Sequence, residues 1–119
     1  MRIALSMLLT TFLAAQAWAG PYDGRYRPDH PSGDTWDCRT IGQDGGAVLL
    51  TTNIFFALGS RCSLRDGFAV RGMDATLYDA ICHAEGGALF ERRIMIMRTD
   101  NGIAVVQKGG VMSLLRKCD

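Results

Sequence analysis

Histidine is scarce, basic charge is not in excess, and no two cysteines stand close together. The chain of 119 residues has two histidines, 13 basic against 12 acidic residues, and four cysteines spread over positions 38, 62, 82 and 118. Each shortage closes a class of function. Near-balanced charge, with cations single or paired as in Arg92-Arg93 and Arg116-Lys117, offers no phosphate-binding stripe, so nucleic acid is not an expected partner. Without a C-x2-C spacing, the usual four-thiolate zinc site and the usual redox pair are both missing. Ser60, Ser63 and Ser113 lack a G-x-S-x-G turn, and His83 is the one base of its kind after residue 36, which leaves nucleophilic catalysis unsupported. Gly86-Gly87 and Gly109-Gly110 are turn pairs without the context of a phosphate loop. Asp74, Asp79, Glu85 and Glu91 follow no spacing that marks acid-base work. No enzyme and no cofactor are expected.

What is present fits a small exported domain. Aromatic residues make up only 8% of the chain, yet 48% is apolar and 21% charged, which suits one globular unit rather than disorder. Arg2, the apolar run 3–15 and Ala17-Trp18-Ala19 have the order of an export signal, with cleavage leaving Gly20 first. Residues 3–19 sit at the short limit of the roughly 17 to 25 needed to span a bilayer, and they include Gln16. A periplasmic or secreted protein without a membrane anchor after cleavage is the expectation. Residues 20–35 hold all three prolines and show no helical or strand period. They read as a flexible lead, with Tyr22, Tyr26 and His30 as its candidate contact residues, leaving 36–119 as a single β-rich domain.

Within that domain, short apolar runs alternate with glycine turns, which favours strands. The runs are 47–51, 54–58, a brief 62–64 stopped by Asp66-Gly67, an irregular 68–73, then 76–84, 89–98, 103–107 and 111–115. Residues 76–84 also satisfy a helical spacing; strand is preferred. Asn101-Gly102 suits the positive φ of a hairpin turn. Ile94, Met95, Ile96 and Met97 are apolar on both faces, which predicts a strand covered on both sides. The fold class is therefore all-β, a small antiparallel barrel or compact meander of about five to seven strands stapled by two disulfides.

Four cysteines downstream of an export signal are expected to be oxidised in pairs, and three connectivities remain open. Cys38 with Cys62 and Cys82 with Cys118 is preferred, because each pair then lies in one contiguous half. The run from Cys62 through Leu64, Gly72 to Ala80, Cys82-x-x-Glu85-Gly86, the arginine-containing strand at 90–93 and the terminal Arg116-Lys117-Cys118 resembles small exported bacterial proteins with two disulfides. The resemblance covers most of the chain after Cys62. It implies an exported β-rich domain, carries no assigned biochemical activity and supplies no catalytic residues.

Three candidate sites follow. His83 and Glu85, alternate residues of one strand, share a face on which Asp79 is a further ligand for a metal such as zinc. Met95 and Met97 form a second alternate pair, with Met73 or Met112 as a third thioether, a soft set suited to monovalent copper. The segment 65–74 mixes Arg65, Phe68, Arg71 and Met73 between ordered runs and is the expected presenting surface, although burial of Phe68 and Met73 is the preferred reading. The function expected is a non-enzymatic binding or inhibitory module acting on another envelope protein or component. The alternative is a periplasmic metal-handling protein, followed by a small hydrolase. Oligomeric state is not legible.

Overall fold

The computed structural model describes residues 20–118. The expected export signal at 1–19 lies outside them. Eight strands close into one antiparallel barrel in chain order: β1 (Gly24–Pro28), β2 (Val48–Thr51), β3 (Ile54–Ala57), β4 (Ser60–Ala69), β5 (Ala75–Ala84), β6 (Leu89–Arg98), β7 (Gly102–Gln107) and β8 (Val111–Lys117). The all-β barrel expectation holds, with one strand more than the upper count.

That extra strand is β1, and it overturns the reading of 20–35 as a flexible lead. β1 pairs with β2 on one side and β8 on the other, and so closes the sheet. Its signal is weak for a physical reason. Only Tyr26 fills the interior, at 1% exposure, while Arg25 and Arg27 alternate with it, and Gly24 and Pro28 occupy the strand ends. Pro28 is tolerated at a strand's last residue, where the missing N–H costs little. Tyr22 is buried as well, and His30 uses Nδ1 to accept the Ser32 N–H at 3.1 Å, capping the short turn Pro31–Gly33.

Residues 76–84 are strand, as preferred. The brief run at 62–64 is in fact part of a ten-residue β4, because Asp66-Gly67 is a bulge and not a stop. Arg65 pairs with Asp79 and Phe68 with Leu77, so three steps on β4 oppose two on β5. Asp66 absorbs the extra residue at φ 51°, and a Cβ on Gly67 would lie 2.9 Å from the Tyr78 ring. Bulges of this kind bend a long strand without ending it. Gly102 also has a different role from the one expected. Neither it nor Asn101 has positive φ; a Cβ there would meet the Leu115 carbonyl oxygen at 2.2 Å.

The disulfides are Cys38–Cys118 and Cys62–Cys82, which corrects the preferred pairing. Strand register decides both. Cys62 and Cys82 stand directly opposite each other on β4 and β5, both buried in the interior. Closure of β8 onto β1 carries the chain end to the start of the barrel, where the Cys118 N–H donates to the Arg25 carbonyl and the Arg25 guanidinium donates to the Cys38 carbonyl. Contiguity along the chain was the wrong guide, since a closed barrel brings first and last strands together.

Alternation along the strands puts Tyr26, Leu50, Phe55, Leu64, Tyr78, Ile94, Ile96, Ile103 and Val105 inside. An eight-stranded barrel is just wide enough for such side chains to fill, or to leave room for one small ligand. On β6 the inner residues Ile94 and Ile96 are buried, while Met95 and Met97 face outward and are half-buried. The strand is thus not covered on both sides, as its sequence led us to expect; its outer methionines belong to the barrel surface.

Candidate functional site

The outer surface carries an apolar row that the strand register assembles. Phe68 of β4 pairs with Leu77 of β5, Leu77 with Met95 of β6, Met95 with Val106 of β7, and Val106 with Met112 of β8. Beside it Met97 pairs with Ala104 and Ala104 with Leu114, but Ala104 is fully buried, so only the two ends of this second row reach the surface. Neighbouring strands lie about 4.8 Å apart, so the first row extends for roughly 19 Å around the barrel. Phe68 is 76% exposed and Met112 55% exposed. These two exposed ends are joined by the half-buried Leu77, Met95 and Val106 at successive ladder positions, unlike the isolated surface hydrophobes that any protein carries.

Above Phe68 the same face turns polar. A recess of about 290 Å³ is lined by Asp66, Phe68, Leu77, Asp79 and Arg93. Arg93 and Asp79 form an ion pair at 3.2 Å with both side chains exposed, and an exposed pair of this kind contributes little to stability. Arg65 and Glu91 extend the charged area. An aromatic anchor bordered by charged groups has the composition of a protein-recognition surface, in which an apolar centre gives affinity and a polar rim gives register.

The expected presenting segment 65–74 is therefore divided. Arg65 and Phe68 lie on β4, while Arg71 and Met73 lie in the turn that leads to β5, held by the Val70 N–H on the Ala75 carbonyl at 2.9 Å. Burial of Phe68 and Met73 is overturned. Met73 is 48% exposed, and Phe68 points away from a core whose inner face is already occupied by Gly67 against Tyr78. The row beyond Phe68 was missed in the sequence because it has no linear signature; only the bulge-shifted register aligns the five residues.

The metal candidates are placed apart. His83 is on the outer side of β5 opposite Arg61 and Leu89, and Glu85 lies in the following turn; both border a shallow recess that also contains Arg61. Asp79 is engaged with Arg93. No three His, Cys, Asp or Glu side chains gather for a metal among the described residues. Met95 and Met97 share the outer face of β6, but β7 separates Met95 from Met112 by about 10 Å across the sheet. Met73 lies in the β4–β5 turn.

The two ends of the barrel differ. At the end where β1 begins, Tyr26 donates its hydroxyl to the Tyr22 carbonyl at 2.6 Å, Tyr22 meets the Thr76 hydroxyl at 3.0 Å, and Arg98 lies over the Tyr22 ring. Burial pushes the phenols of Tyr26 and Tyr78 up from their ordinary value of 10.0. The opposite end opens into a cavity of about 470 Å³.

The chain matches no family model, no curated protein and no solved structure. Two disulfides suit an oxidising compartment outside the cytoplasm, and no helix among the described residues is long and apolar enough to cross a membrane.

Proposed function

We propose that this chain is an exported, non-enzymatic binding or inhibitory module that seats another protein of the cell envelope on the outer face of β4 to β8. One observation carries the reading: the row from Phe68 to Met112 lies outside a barrel that has already packed its own core, so no part of the described chain covers Phe68. The disulfides and the closed sheet support it by making the face rigid, which lowers the ordering cost of association. The charged groups Arg65, Asp79 and Arg93 border the apolar row, with Arg71 in the β4–β5 turn beyond it, and they fix the orientation of the partner.

The test is capture of envelope proteins by oxidised chain carrying a photo-crosslinker beside Phe68, compared with Phe68→Ala and Arg71→Glu. An aromatic anchor truncated to alanine costs 2 kcal/mol or more at an interface centre, so Phe68→Ala is expected to lower recovery of the partner about thirtyfold. Arg71→Glu at the rim lowers it less and changes its salt dependence. Unchanged recovery in folded Phe68→Ala removes this face as the binding surface.

A further inference from the structure

The open end of the barrel has the chemistry of a second, separate site. Its cavity of about 470 Å³ falls within the range of small-molecule pockets, and at about 30 Å³ per water it has room for on the order of fifteen heavy atoms. Val48, Phe55, Val105 and Leu115 are among its apolar lining, while Ser60 and Ser113 bring hydroxyls to the wall. Among the described residues the one formal charge on that lining is Arg92, with no Asp or Glu contributing. Arg92 donates to the Gln107 side-chain oxygen at 2.7 Å and lies over the Phe90 ring with 4.4 Å to its centroid. Both contacts position the guanidinium and neither neutralises it, and Arg92 makes no ion pair among the described residues.

The inner residues explain why space is left here. Towards the closed end, Tyr26, Tyr78, Leu50 and Leu64 fill the interior, and the recess between residues 20–23 and Leu50, Leu64 and Tyr78 measures only about 10 Å³. Towards the open end the inward positions include Ala57, Ser60, Gln107 and Ser113, which are short or polar. A barrel of fixed strand number has nearly constant width, so small side chains at one end leave a cup. The wall is mostly apolar and carries the Arg92 guanidinium, an arrangement that favours a molecule with one apolar end and one anionic end. The guanidinium fork matches a carboxylate in particular, because its planar N–H groups can bond both oxygens.

We infer that the open end of the barrel binds a small amphipathic carboxylate, its apolar body held among Val48, Phe55, Val105 and Leu115 and its carboxylate on Arg92. The cavity shares Leu114 with the edge of the outer face but none of the row from Phe68 to Met112. Decanoate is the probe, with decanol and decylamine as neutral and cationic counterparts, titrated calorimetrically into the oxidised protein while the methyl resonances of Val48, Val105 and Leu115 are followed. Decanoate is expected to bind and shift those methyls, with decanol about tenfold weaker and decylamine weaker again. Arg92→Gln should weaken decanoate about tenfold and leave decanol unchanged, whereas Arg61→Gln, which removes an outward charge of the same sign, should alter neither. Ser113→Trp, at an exposed position on the cavity wall, should reduce binding of all three by filling the space. Failure of every probe to move the cavity methyls overturns the site. Equal affinity for decanoate and decylamine, or an Arg61→Gln loss as large as that of Arg92→Gln, overturns the carboxylate assignment.

Discussion

The closed and open ends of the barrel are made from the same eight strands, yet they are stabilised differently. At the closed end, residues 20–23 fold back under the barrel and Tyr22, Tyr26 and Tyr78 fill it, with the two hydroxyl bonds of Tyr26 and Tyr22 tying the plug to the chain. At the open end the interior is left partly empty as a cavity, and a covalent link ties two neighbouring strands, β4 and β5, together. The Cys62–Cys82 bridge lies towards this end, between Phe55 on β3 and Phe90 on β6, which pair with its two halves. The difference shows how a short chain can keep a cavity: the tyrosine plug fills one end, while a buried crosslink in the core fixes two strands of the sheet beside the open one.

The largest expected effect is at the plug. Tyr26 is 1% exposed and reaches from β1 into the centre of the core, so Tyr26→Ala creates a cavity and strands the Tyr22 carbonyl. Losses of roughly 3 to 5 kcal/mol accompany such truncations of buried aromatics, enough to unfold a domain of ordinary stability. Ser113→Ala, at the wall of the open end, should stay within about 0.5 kcal/mol. Urea unfolding of the oxidised proteins measures both. Equal effects would mean that the two ends are packed alike and that the cavity is not a stable feature.

Next in size is the crosslink. In the chain-entropy description, a sequence separation of 20 makes Cys62–Cys82 worth about 3 kcal/mol, and the 80-residue separation of Cys38–Cys118 gives about 4 kcal/mol with the inner bridge intact. The larger value reflects the unfolded chain and says nothing of where the native sheet loosens. Removing Cys62 and Cys82 together should therefore open β4 and β5 to hydrogen exchange preferentially towards the cavity end. The same double replacement at Cys38 and Cys118 should instead release the connection between β1 and β2. Peptide-resolved exchange separates the two patterns, and a uniform rise in both variants would contradict the local assignment.

The contrast between the ends also explains what was legible beforehand. Strands β2, β3, β5, β6, β7 and β8 have apolar alternation or apolar runs over four or more residues, and their positions could be read from that period. β1 has a single inward aromatic between two arginines and borrows its stability from closure, which no local pattern encodes. The bulge at Asp66-Gly67 looked like a stop because a turn and a bulge need the same residue types; only the partner strand distinguishes them. The disulfide pairing and the outer row from Phe68 to Met112 depend on register between distant segments. The segment 65–74 was recognisable as mixed in composition, but the side of the sheet taken by Phe68 is reversed by the one extra residue of the bulge.

The smallest expected effect tests the plug through its charge. Burial disfavours the phenolate of Tyr26 and of Tyr78; Arg98 opposes the shift at Tyr26 and a hydrogen bond with Thr76 opposes it at Tyr78, but both pKa values stay above 10.0. The folded protein consequently holds these protons when the unfolded chain has begun to release them. Their contribution is fully present below pH 10.0 and is lost as pH rises through the folded values, so the urea midpoint should be level on the neutral side and fall on the alkaline side. Asp37 gives the opposite limb. Backbone N–H groups of Thr40 and then Arg39 hold its carboxylate below the ordinary 3.8, so its contribution is present above that value and fades as pH falls through the folded one. Tyr78→Phe removes a titrating hydroxyl while keeping the ring in the plug, and it should flatten the alkaline fall without altering the acid side. An alkaline limb as steep in Tyr78→Phe as in the parent protein would take Tyr78 out of the closed end's pH response and leave Tyr26 to account for all of it.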